Sequence, residues 1–91
     1  MSERRVAIGS ASGLHARPAA VFSQAAARCG TQVSITKGDR TVDAASLLGV
    51  MSLAAQHGDE VLLTALGPDA ERVLDELGEL LASDQDAVPG R

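Results

Sequence analysis

Apolar and polar residues alternate in three separate stretches of this chain, and between them apolar residues recur at helical spacing. Val6 and Ile8 fall on one side of a short strand predicted over Arg5 to Gly9. Ala19, Phe22, Ala26 and Cys29 follow at intervals of three, four and three, one stripe of a helix from Ala16 to about Arg28. Alternation resumes from Gln32 to Lys37, with Val33 and Ile35 inward. Lys37-Gly38-Asp39 reads as a tight turn, and Arg40 to Asp43 returns as the second arm of a hairpin. Ser46 is placed to cap a short helix running to about Leu53. After a break at Gln56-His57-Gly58-Asp59, Glu60 to Leu66 forms a strand with Val61, Leu63 and Ala65 on the core side. Pro68 opens a last helix whose first turn carries Asp69 and Glu71, the charge its dipole favours. Ala70, Leu74, Leu77 and Leu81 make that helix's buried stripe, and Ser83 to Arg91 has the composition of a frayed tail.

The order is βαββαβα. Four short strands in 91 residues favour an α+β fold, an antiparallel sheet with the helices packed on one face. One domain over residues 1–91 is expected, structured over about 5–83, with 84–91 as a flexible tail. The chain is 45% hydrophobic yet holds one aromatic residue, Phe22, so Ala, Val and Leu must fill the core. A net charge of −4 offers no electrostatic footprint for nucleic acid. The single cysteine, Cys29, fits a reducing cytoplasm and reads as a core or boundary residue rather than a nucleophile. Charges at Met1 to Arg5 lead into no apolar run, so neither a signal peptide nor a membrane span is expected.

The chemistry concentrates where the first helix begins, at Gly13-Leu14-His15-Ala16-Arg17-Pro18-Ala19-Ala20. Proline is tolerated only in the first turn of a helix, so Pro18 sets the helix start within a residue or two of Ala16. His15 then sits at the N-terminus, where the amides of Ala16 and Arg17 have no intrahelical acceptor and carry the positive end of the dipole. Arg17 adds a guanidinium able to grip an anion at two points. A ring nitrogen, two backbone donors and an arginine suit a phosphoryl group. Both neighbours disfavour a second positive charge, which keeps the imidazole neutral and nucleophilic. The bland alternative, a surface histidine that caps the helix, is weakened by the Arg-Pro that follows at once.

Those residues resemble the active-site signature of the HPr family, the histidine-containing phosphocarriers of the bacterial phosphoenolpyruvate-dependent sugar phosphotransferase system. Ser46-Leu47-Leu48-Gly49-Val50-Met51-Ser52-Leu53 is similar to that family's regulatory-serine segment, and the resemblance runs from about Arg5 to about Ser83. It implies an open-faced sandwich with strand order 1-4-2-3. It further implies that His15 accepts a phosphoryl group, on Nδ1 in the family, from phosphorylated enzyme I and passes it to sugar-specific IIA proteins. Arg17 would stabilise the phosphoryl group, and Leu47, Leu48 and Met51 would face outward as partner contacts while Val50 and Leu53 pack inward. No cofactor and no metal are implied, and a monomer with no turnover of its own is expected.

Other readings stay open. Ser46 is a helix cap in any case, and phosphorylation there by a serine kinase would make the chain a regulatory module for a transcription regulator or an uptake protein. A nitrogen-related or dihydroxyacetone kinase branch could replace sugar uptake. A small histidine-dependent hydrolase lacks a paired base or a metal set. Ser12 either caps the helix or touches phosphoryl oxygens. His57 reads as a loop residue, and Asp69, Glu71, Asp75, Glu76 and Glu79 as a solvated helix face.

Overall fold

A computed structural model describes residues 2–9, 13–14 and 16–83; His15, Ser12 and the tail 84–91 lie outside the described residues. The elements are β1 (Ser2–Ala7), α1 (Ala16–Arg28), β2 (Val33–Lys37), β3 (Arg40–Asp43), α2 (Leu47–Ser52), β4 (Glu60–Ala65) and α3 (Ala70–Ala82). The strands form one antiparallel sheet in the order β1-β4-β2-β3. This is the α+β arrangement expected, strand order included.

Alternation explains the sheet's two faces. Val6 of β1, Val33 and Ile35 of β2, and Val61, Leu63 and Ala65 of β4 are all buried under the helices. The opposite face carries hydroxyls, with Thr36 and Thr41 paired across the hairpin at 2.8 Å. Helical spacing likewise explains α1, whose Ala19, Phe22 and Ala26 are buried with Pro18 and Ser23. Ser23 meets its need for a partner locally, its hydroxyl donating to the Ala20 carbonyl at 3.3 Å. Cys29 lies just past the helix, half-buried against the core, its thiol within donating distance of the Ala26 carbonyl at 3.0 Å and the Thr31 carbonyl at 3.2 Å.

Three boundaries differ from the sequence reading by two residues or more, and β2 and β4 are each one residue shorter than expected. β1 starts at Ser2 because Ser2 to Arg5 pair with Ala65 to Leu62, a long-range cause invisible in their polar side chains. It also ends at Ala7 rather than Gly9. Ile8 stays buried and exchanges backbone bonds with Gly58 and Asp59, and the Gly9 amide turns to the Leu81 carbonyl at 2.8 Å. Any side chain at Gly9 would collide there, since its β-carbon would lie 1.8 Å from the Ala82 oxygen. α3 begins at Ala70, not Pro68, because a turn at Gly67 brings the Ala70 amide to the Gly67 carbonyl at 3.2 Å and leaves Asp69 at the cap. Its buried face also takes in Val73 and Gly78, wider than the single stripe expected, because α3 covers β1, β4 and α1 together.

Candidate functional site

The approach to α1 is held by two residues with different tasks. Leu14 is buried in the core cluster, and its amide donates to the Ala55 carbonyl at 2.8 Å. Gly13 adopts φ +79°, and a β-carbon there would sit 2.7 Å from the Ala55 oxygen and 2.9 Å from Gln56 Cα. Glycine is the residue that meets both demands, positive φ and close backbone approach. The chain thus enters residue 15 from a seated, well-defined position. His15 itself lies outside the described residues.

α1 then starts at Ala16, as the Pro18 argument required. Ala16 and Arg17 are exposed, while Pro18 and Ala19 are buried and press the first turn onto the core. The first turn contains no acidic residue. Among the described residues no acceptor meets the Ala16 or Arg17 amides, and Arg17 forms neither a hydrogen bond nor an ion pair. Helix-start amides without a partner among the described residues, beside an exposed guanidinium, have the donor chemistry that suits an anion.

α2 supplies the adjoining surface. Ser46 caps it with extended backbone, its hydroxyl accepting from the Gly49 amide at 3.0 Å. Val50 and Leu53 pack into the core, as expected for the inward residues, whereas Leu47, Met51 and especially Leu48, at 80% exposure, face out. Three large apolar side chains on one six-residue helix amount to an apolar patch of the kind that meets partners. The far end of α2 is tied down by Arg40 of β3, whose guanidinium donates to the Ser52 carbonyl and hydroxyl, each at 3.2 Å. Just beyond, Ala54 takes φ +52°, costing about 1–2 kcal/mol for a residue with a β-carbon.

The structure therefore brings one end of α2 to the start of α1, through Ala55 and Leu14. Ser46 belongs to the other end, separated from that contact by roughly 9 Å of helix axis. Sequence reasoning quoted Gly13 and Leu14 but assigned them no task, and it missed Ala54, Ala55 and the Arg40–Ser52 clamp. A glycine and an apolar residue directly before a helix start could have signalled the first pair. Nothing local could have signalled the rest. Among the described residues no three His, Cys, Asp or Glu side chains are grouped to hold a metal ion, and no helix is long and apolar enough to cross a membrane.

Comparison with known proteins bears directly on this site. The family model for the PTS HPr component phosphorylation site matches residues 2–83. The phosphocarrier protein HPr of Streptomyces coelicolor is 46% identical over 98% of this chain and 97% of its own. The crystal structure of the phosphocarrier HPr from Bacillus anthracis superposes with TM-score 0.84 at 40% identity, covering 88% of this chain and 95% of that one. The Bacillus subtilis catabolite repression protein Crh, solved as an intertwined dimer with a swapped domain, gives TM-score 0.71 at 38% identity over 93% of this chain and 100% of that one.

Proposed function

The chain belongs to the HPr family of phosphotransferase-system phosphocarriers, and on that premise we propose that His15 is its phosphoryl-carrying residue. In this reading phosphorylated enzyme I, charged from phosphoenolpyruvate, presents its phosphoryl group to the neutral His15 ring. A ring nitrogen's lone pair forms a new P–N bond as the bond to the donor breaks, and a histidine of a sugar-specific IIA protein later takes the same group in the same way. Each transfer site is completed by the partner, so the carrier turns nothing over alone. The amides of Ala16 and Arg17 and the Arg17 guanidinium hold the transferred oxygens. Leu47, Leu48 and Met51 receive both partners in turn through a small, weak to moderate interface. The protein acts as a monomer in the cytoplasm.

The observation that carries this reading is the start of α1, where Arg17 has no partner among the described residues and the first turn directly after His15 holds no acid. The test is incubation with enzyme I and phosphoenolpyruvate. An acid-labile phosphoryl adduct on residue 15 is expected, abolished by His15→Ala in a chain that still folds. Phosphorylation of that variant would rule His15 out as the acceptor.

A second reading, regulation through Ser46, draws support from the likeness to Crh, a protein named for catabolite repression. A phosphate on Ser46 would lie at the start of α2, next to Leu47 and Leu48, and its charge would spoil an apolar contact there. Carriage and regulation can coexist. Treatment with ATP and host lysate, followed by mapping of the modified residue, separates them. A nitrogen-related or dihydroxyacetone kinase branch would use the same chemistry with different acceptors.

A further inference from the structure

The geometry points to Ala54 as a positioning residue for His15, an inference that rests on the carrier reading above. Among the described residues Ala54 is the one non-glycine with positive φ, at +52°. It directly follows Leu53, the cap residue of α2, and takes the chain out of the helix in a left-handed conformation. The next residue, Ala55, lies in the core at 3% exposure with its carbonyl on the Leu14 amide at 2.8 Å. Gly13 presses against the same carbonyl. Leu14 is the residue immediately before His15, so the left-handed turn at Ala54 sets where the backbone enters the phosphoryl-bearing position.

Both sides of the turn are anchored. Upstream, Arg40 grips Ser52 at two points and Leu53 is buried at 4% exposure. Downstream, the Gln56 amide donates to the Asp59 carboxylate at 2.9 Å, and that carboxylate also faces the Lys37 ammonium at 3.6 Å. A disfavoured backbone state persists only where its surroundings over-determine it. Because α2 also presents Leu47, Leu48 and Met51, a partner seated on that helix bears on the arm that holds Leu14. Residues 53–55 thus link the docking helix to the transfer site.

The test is a substitution series at residue 54 in the full chain. Ala54→Gly favours the left-handed turn, and Ala54→Val, with a branched β-carbon, opposes it. Amide hydrogen exchange is read at Leu14 and, as a gauge of global opening, at Leu63 in the central strand β4. Phosphoryl transfer from enzyme I is timed in parallel. Ala54→Val should speed exchange at Leu14 at least tenfold relative to Leu63 and slow transfer about tenfold, with half-saturation by enzyme I unchanged. Ala54→Gly should slow exchange at Leu14 relative to Leu63 and retain full transfer, and this variant decides the matter should Ala54→Val fold poorly. Parallel shifts at Leu14 and Leu63 in either variant, or transfer at the parent rate by a folded Ala54→Val chain, would overturn the positioning role alone. A parent chain that gains no phosphoryl group on His15 would instead overturn the carrier reading, and the positioning role with it.

Discussion

α1 and α3 are both 13 residues long and share the same core, yet their N-termini are finished in opposite ways. α3 starts with Asp69 at the cap and Glu71 in its first turn, and the arginines around it are spoken for. Arg72 meets Asp69 at 3.5 Å and Glu76 at 3.4 Å, and Arg4 reaches across from β1 to Asp75 and Glu71. Around α1 there is no acid in the first turn, and Arg17 has no partner among the described residues. Asp69 makes no capping hydrogen bond, so the difference between the two starts lies in the charge of the first turn and not in the pairing of its amides. A first turn without an acid, beside an arginine that has no partner among the described residues, has the charge that favours an anion.

The strongest way to break this contrast is to give α1 the kind of start α3 has. Ala16→Asp places a carboxylate at the helix start where the proposed phosphoryl site lies. Transfer from enzyme I should fall on the order of a hundredfold through like-charge repulsion. Thermal stability should rise slightly, by about 0.3–1 kcal/mol from the dipole. A variant that transfers normally would mean the bare helix start plays no part. Next in size, Arg17→Ala should slow transfer about tenfold, the loss of one charge-assisted hydrogen bond, with the melting temperature unchanged; a wild-type rate would discard the clamp. Smallest is Arg4→Ala. Its half-exposed ion pairs predict a stability loss below about 1 kcal/mol and no change in transfer, measured by denaturant titration beside the kinetic assay. A transfer defect there would erase the distinction between the two arginines.

How far the molecule could be read in advance depended on the range of the forces involved. Five of the seven elements follow from periodicity, because burial on one face imposes a repeat that the residues must obey locally; β3 was legible from the turn at Gly38 and α2 from its Ser46 cap. The start of α1 was legible for a similar reason, since Pro18 constrains only its own turn. Ser46 was recognisable as a cap, and its bond to Gly49 spans three residues. The start of β1 was not legible. Ser2 to Arg5 look like any polar run, and only pairing with β4, some sixty residues on, makes them a strand. Val73 escaped because a narrow stripe underestimates a helix that packs on three neighbours at once.

Local chemistry by itself determined the order of elements, the position of the first helix and the concentration of reactive groups at its opening. It also placed an arginine two residues beyond a histidine there. Those outcomes depend on backbone sterics, side-chain periodicity and the missing amide of Pro18, all of which act within a turn or two. What only the folded chain decided was which charges are neutralised and which backbone carries the site. Arg4 found carboxylates on α3 while Arg17 found none among the described residues, and the Ala55 carbonyl met the Leu14 amide from across the domain. Such pairings form between segments far apart along the chain, and their partners are chosen by packing, which no short stretch of residues encodes.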